Sequence, residues 1–176
     1  MDYMIYDDRL EGSDPKGNFW MLKVGEQVGI SVAISRTLAR AAQHGGKLGS
    51  LLIMAHGIED NEEGGYGLLF CREDLTHNTV HMFSPLKGKI GKIVLLACGA
   101  AHVAKGKDGG EGDGDFLCRR LARATGAWVK ASTYRQEYVT WSWEKSWGND
   151  FGEWEGDCWW FDPTGKHKYK ADMKTF

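Results

Sequence analysis

Lys92-Ile93-Val94-Leu95-Leu96-Ala97-Cys98-Gly99-Ala100-Ala101 is an apolar, partly β-branched run that stops on a cysteine, a glycine and two alanines. A continuous apolar run bounded by turn residues reads as a strand buried on both faces, the kind found inside parallel sheets. Cys98 then stands at the strand's carboxyl end, and open α/β sheets collect ligands and chemistry outside that end. A second run matches it: Leu51-Leu52-Ile53-Met54-Ala55 stops on His56-Gly57. Two neighbouring strands that end in an imidazole and a thiol would bring a general base to a nucleophile.

The flanking segments supply the rest of an α/β layer. Ile30, Ala33, Ile34, Leu38 and Ala41 recur at helical spacing, with Arg36, Arg40 and Gln43 off that face. Ser31 is placed to cap this helix and Gly45-Gly46 to end it. After Cys98 comes a polar, glycine-rich loop over residues 105–114, then a second helical pattern over residues 115–126. Phe116, Leu117, Leu121 and Ala124 form its apolar face, and Gly126 stands where a C-terminal cap belongs. Ala127-Trp128-Val129-Lys130-Ala131 reads as a further strand. Nearer the start, residues 3–6 read as a short strand and residues 19–24 as a short strand or an ordered turn. Residues 66–71 and 79–83 are expected as two arms of a hairpin or a small excursion from the sheet. Helices alternating with strands predict an α/β domain with a mainly parallel sheet.

A chain of 176 residues suits one domain, here residues 1–176, with a core over about 28–135. Its formal charge of −2 offers no broad basic surface for nucleic acid. No stretch has the length and apolarity of a membrane span, and the N-terminal residues lack the basic and apolar regions of a secretory signal. The expected setting is therefore cytoplasmic, or exported without a cleaved signal. Cys71, Cys98, Cys118 and Cys158 form no C-x-x-C pair, so reduced thiols are expected. Of eight tryptophans, six fall between Trp141 and Trp160, which marks residues 138–176 as an aromatic C-terminal extension. Its first expected role is to cover an edge of the sheet and part of the core. The alternative is an exposed surface, built on Trp141, Trp143, Trp154 or Trp159, for a sugar or a protein partner.

The order of these features resembles the caspase-like cysteine peptidases, the clan of gingipains, legumain, separase and self-cleaving toxin peptidase domains. The likeness spans roughly residues 28–135: an apolar strand ending in His56-Gly57, a second ending in Cys98 forty-two residues later, a loop, a helix ending Leu-Ala-Arg-Ala-Thr-Gly, and a strand Trp-Val-Lys-Ala. Small residues around the cysteine, here Ala97, Gly99 and Ala100, agree with the family. The resemblance implies a three-layer caspase-like fold, a central, mainly parallel sheet flanked by helices. It implies His56 as base, Cys98 as nucleophile, and an oxyanion hole from Gly57 and the Cys98 amide. The implied activity is a cysteine endopeptidase acting on protein or peptide substrates, without metal or cofactor. Glu59 and Asp60 after His56, and Ser132 past the third strand, are further candidates for substrate contact. Acidic side chains there would favour a basic residue before the cleaved bond.

Other constellations are weaker. His77 and His81 have an i, i+4 spacing, but the intervening Asn78-Thr79-Val80 favours a turn and strand, and no further zinc ligands are evident. His102 is the rival base, four residues after Cys98. The order D-G-G-E-G-D-G-D over residues 108–115 matches neither the EF-hand spacing nor the G-G-x-G-x-D repeat, so a loop bordering the site is expected there. Cys71, Cys118 and Cys158 read as packing residues. Two rival functions stay open at this level: a non-catalytic recognition or adhesion module using the tryptophan-rich tail, and a dyad acting on a different amide, as in a toxin effector.

Overall fold

A computed structural model describes residues 2–11, 14–15, 17–59, 65–104, 109–110, 112–136 and 154–172. Strand β1 (Asp2–Asp7) lies between two parallel neighbours, β2 (Phe19–Val24) and β3 (Ser50–Met54). Outward from β3, β6 (Lys92–Leu96) and β7 (Trp128–Ser132) continue the parallel array. The antiparallel hairpin β8 (Cys158–Phe161) and β9 (Lys168–Lys170) closes that side. The result is a seven-stranded, mainly parallel mixed sheet of order β2-β1-β3-β6-β7-β8-β9. Strands β4 (His56–Glu59) and β5 (Gly65–Leu69) pair separately as an antiparallel hairpin.

Alternation along each strand makes two cores. Tyr3, Ile5, Leu51, Ile53, Ile93, Leu95, Val129 and Ala131 face the larger one, together with the apolar sides of helices α1 (Ile30–Ala42) and α2 (Gly114–Thr125) and the 3-10 helix Val80–Leu86. Met4, Tyr6, Leu52, Met54 and Val94 face the other, with Trp154, Cys158 and Ala171. Each fully buried Leu or Ile contributes roughly 1.5–3 kcal/mol of transfer free energy, which explains why runs apolar on both faces become central strands.

Helices on both faces, as a three-layer domain would have, are not found among the described residues. Chain direction accounts for this. The crossovers β2→β3, β3→β6 and β6→β7 all step the same way across the sheet, and right-handed crossovers put their connections on one face. Only β1→β2 steps the other way, and its connection, residues 8–18, holds no helix among its described residues.

Local signals explain the remaining elements, with some corrections. Helix α2 keeps its expected end: the Asp113 carboxylate accepts from Phe116 N–H at 2.8 Å and Gly126 closes it with φ +66°, but its buried face is Leu117, Cys118, Leu121, Ala122 and Thr125, and Phe116 and Ala124, expected on that face, are half-buried. Helix α1 ends as expected, with Gly46 N–H bonded to Ala41 O at 2.9 Å. Its start differs. Gly29, not Ser31, is the N-cap and offers no side chain. The Glu73 carboxylate, far away in sequence, accepts from Ile30 N–H at 2.8 Å instead. The expected hairpin between residues 66–71 and 79–83 does not form. Residues 65–69 pair with residues 56–59, and residues 80–86 are helical. Val80, Phe83 and Leu86 are buried at a strict period of three, the period of a 3-10 helix rather than a strand. The Thr79 hydroxyl starts that turn by accepting from Thr76 N–H at 2.9 Å.

The aromatic tail divides. Trp154 is buried, and Trp159 and Trp160 are half-buried on β8 itself, Trp159 against the larger core and Trp160 against the second. Lys130, buried on β7, places its ammonium 4.8 Å from the Trp154 ring centroid and 5.7 Å from that of Trp160. It also donates to the Asp172 carbonyl at 3.0 Å. Burial pushes its pKa down. Trp154 and Trp160 cover the second face and cradle a buried cation. Trp141, Trp143 and Trp147 lie outside the described residues.

Candidate active site

The β3–β6 register decides the site. Ser50 lies opposite Lys92 and Met54 opposite Leu96, an offset of 42 residues along the whole ladder. Ala55 N–H extends it by donating to Leu96 O at 3.3 Å. His56 and Cys98 keep the same offset, each two residues past the end of its strand, at the carboxyl edge of the sheet. They therefore leave adjacent parallel strands at the same level.

His56 is not itself the last residue of the main sheet. It opens β4, which turns away to pair with β5, His56 opposite Leu69 and Gly57 opposite Leu68. The turn after β5 anchors this hairpin. Cys71 and Asp74 both adopt left-handed backbone, φ +56° and +58°, which costs a non-glycine residue about 1 kcal/mol or more. An ionic cluster around the buried Asp7 holds it there. Asp7, fully buried at the end of β1, accepts from Cys71 N–H at 2.9 Å and binds Arg9 through Nε at 2.7 Å and Nη2 at 2.8 Å. Arg9 in turn donates to Cys71 O at 3.0 Å, and Asp74 accepts from Phe70 N–H at 3.0 Å. Bidentate arginine–carboxylate pairing is strong and directional, so the hairpin carrying His56 is built on a rigid footing. The His56 side chain itself is exposed.

Cys98 sits in the turn that follows β6. Gly57 crosses it so closely that a Cβ on Gly57 would lie 2.1 Å from Cys98 O and 3.2 Å from Cys98 Cβ. The far side of the turn is stitched to the continuation of β7: Gly99 N–H donates to Tyr134 O at 2.8 Å and Ala101 N–H to Ser132 O at 2.9 Å. The Cys98 N–H donates to no described residue. The sulfur rests against Gln136, donating to its carbonyl at 3.5 Å and accepting from its N–H at 3.4 Å.

The four thiols separate by environment. Cys71, Cys118 and Cys158 are buried, whereas Cys98 is half-exposed. Desolvation pushes Cys71 up to about 12 and Cys158 up to about 11, and raises Cys118 as well. These three stay protonated and packed, as the sequence suggested. Only Cys98 combines solvent access with a neighbouring imidazole-bearing segment.

The remaining candidates are placed as follows. Ser132 ends β7 fully buried. Its hydroxyl donates to Glu155 O and accepts from Tyr134 N–H at 3.1 Å and Gln136 Nε2 at 3.0 Å. Its side chain is thus not exposed on the surface in this arrangement. Glu59 is the last residue of β4, and Asp60 lies outside the described residues. His102 stays in the turn after Cys98, its N–H bonded to Gly99 O at 2.8 Å. His77 packs against Phe116, with ring centroids 6.4 Å apart, and His81 Nδ1 bonds Asn78 O at 2.8 Å. No group of three or more His, Cys, Asp or Glu able to hold a metal occurs among the described residues. At the far end of the glycine-rich loop the Asp113 carboxylate also accepts from Gly109 N–H at 2.6 Å. A Cβ on Gly114 would meet Ala100 O at 2.4 Å, so that end is packed beneath the Cys98 turn.

Sequence reading missed Gln136. Its amide joins Ser132 to Glu155 and fixes its own main chain over the sulfur. No spacing or composition points to it, because its partners are 4 and 19 residues distant and meet only when β7 and β8 pair. No helix among the described residues is long and apolar enough to cross a membrane. Comparison with known proteins returns no match: neither protein-family models, nor curated proteins, nor solved structures show a significant similarity to this chain.

Proposed function

We propose that the chain is a cysteine endopeptidase of caspase-like type, with Cys98 as nucleophile and His56 as base. The observation that carries this reading is the shared offset of 42, which sends both residues off adjacent parallel strands at one level. The partial exposure of Cys98, alone among the four thiols, supports it. The strand order from β2 to β7 also fits an open α/β sheet whose chemistry gathers at the carboxyl edge.

The reaction follows from these groups. His56 takes the thiol proton, and the sulfur attacks a peptide carbonyl. The developing oxyanion is held by backbone N–H groups; the Cys98 N–H, which donates to no described residue, and that of Gly57 beside it are the candidates. The imidazolium then protonates the leaving amine as the C–N bond breaks. Water, deprotonated by His56, hydrolyses the thioester and restores the thiol. The three-layer form of the family is not needed for this geometry, because both groups come from one edge of the sheet.

The test is Cys98→Ala in a peptide-library cleavage assay, paired with labelling by a peptidyl acyloxymethyl ketone. Cleavage and labelling both vanish in a folded variant if the reading holds. Wild-type cleavage by that variant ends it. His56→Ala is expected to lose about 10²- to 10⁴-fold in kcat, the usual range for general acid–base catalysis.

A further inference from the structure

We propose that residues 132–136 form a latch that favours the neutral, slower-reacting thiol form of Cys98, with the Gln136 side chain as its clasp. The inference deepens the dyad reading and rests on it for its meaning. The sulfur makes two hydrogen bonds with described residues, both with the main chain of Gln136: it donates to the carbonyl at 3.5 Å and accepts from the N–H at 3.4 Å. Only a protonated thiol is donor and acceptor at once. A thiolate in the same place would lose the first bond and face a carbonyl oxygen, so the contact favours the form that does not attack. The His56 ring, meanwhile, makes no hydrogen bond with a described residue. A peptide's carbonyl must reach this sulfur to react, and the main chain of residue 136 already occupies its polar contacts.

The clasp is a closed polar network. The two Gln136 Nε2 hydrogens share four acceptors within reach: Ser132 Oγ at 3.0 Å, Glu155 O at 2.9 Å, and Tyr134 O and Arg135 O at 3.1 Å each. Oε1 accepts from Glu155 N–H at 3.1 Å, which fixes the orientation of the amide. Upstream, Tyr134 O and Ser132 O remain bonded to Gly99 and Ala101, and Thr133 N–H to Asp157 O at 2.9 Å. Loss of the Gln136 amide would therefore remove the ties that this side chain makes over the sulfur, while the base of the segment stays tied to the sheet. Opening removes both main-chain contacts from the sulfur.

The experiment measures the rate of Cys98 alkylation by iodoacetamide near neutral pH, located by peptide mapping, in the full chain and in Gln136→Ala. The variant is expected to react about tenfold faster, the equivalent of one ordinary hydrogen bond, with Cys71, Cys118 and Cys158 unlabelled in both. Should Gln136→Ala fail to fold, Ser132→Ala, which removes one anchor of the clasp, is expected to raise the rate about threefold. An unchanged or slower rate in the folded variant overturns the latch. His56→Ala separates this inference from the dyad. Slower alkylation in His56→Ala with no effect of Gln136→Ala leaves the dyad and removes the latch. The opposite pair of results leaves the latch and removes the dyad.

Discussion

The Gly57 main chain lies directly against the Cys98 carbonyl, so close that a Cβ on Gly57 would sit 2.1 Å from that oxygen. The atom in the way is backbone, which cannot swing aside like the end of a side chain. The two proposed catalytic segments thus touch through a position where only glycine fits.

Gly57→Ala is expected to destabilise the fold by about 1–3 kcal/mol, the range for overpacking. It should also reduce cleavage further than the stability loss explains, because the relief must move β4 away from the Cys98 turn. Gly91→Ala is the control, since nothing lies within 4 Å of a Cβ there. Chemical denaturation and turnover of both variants decide the point; an unaffected Gly57→Ala would mean that the approach is looser than described.

Thiol counting tests the environments of the cysteines. In the native protein one thiol, Cys98, should react with a disulfide reagent ahead of the others, and all four should react in denaturant. Cys71, Cys118 and Cys158 owe their raised pKa values first to burial, so unfolding returns them to the ordinary thiol range. Cys98→Ala should abolish the early reaction. A second early thiol would contradict the packing around β5, α2 or β8.

Glu73 caps α1 from another part of the chain, and its carboxyl is held below the usual value chiefly by the hydrogen bond from Ile30 N–H. A folded pKa below the unfolded one gives stability that is complete above the unfolded value. That stability fades as pH falls through the folded value. Glu73→Ala is expected to cost about 1 kcal/mol near neutral pH, as for a lost N-cap. The deficit should shrink when both proteins are unfolded by denaturant below the carboxylate range. A deficit independent of pH would mean that the carboxylate's charge plays no part.

Much of the frame was readable without coordinates. Helix α2, with Asp113 ahead of it and Gly126 behind, and strand β6, apolar from Ile93 to Leu96, are local signals. The reading of residues 79–83 as a strand failed because Val80, Phe83 and Leu86 follow a period of three, easily mistaken for alternation in a short window. The cap on α1 was misassigned to Ser31 because Glu73 arrives only through tertiary packing.

For the candidate site, the linear chain points to His56, Gly57 and Cys98, since His56-Gly57 follows one apolar run, Cys98 follows another, and the ends of parallel strands share an edge. Their equal level was not in the chain. It came from the β3–β6 register, which is set by which side chains must enter which core, and a one-residue slip would exchange the faces. The same holds for Gln136 and Ser132, whose partner Glu155 reaches them only when β8 lies down beside β7. Apolar period and end caps are properties of neighbouring residues, so sequence alone decides them. Which strand end meets which, and which polar group covers the sulfur, depend on contacts between distant segments, and those exist only once the sheet has closed.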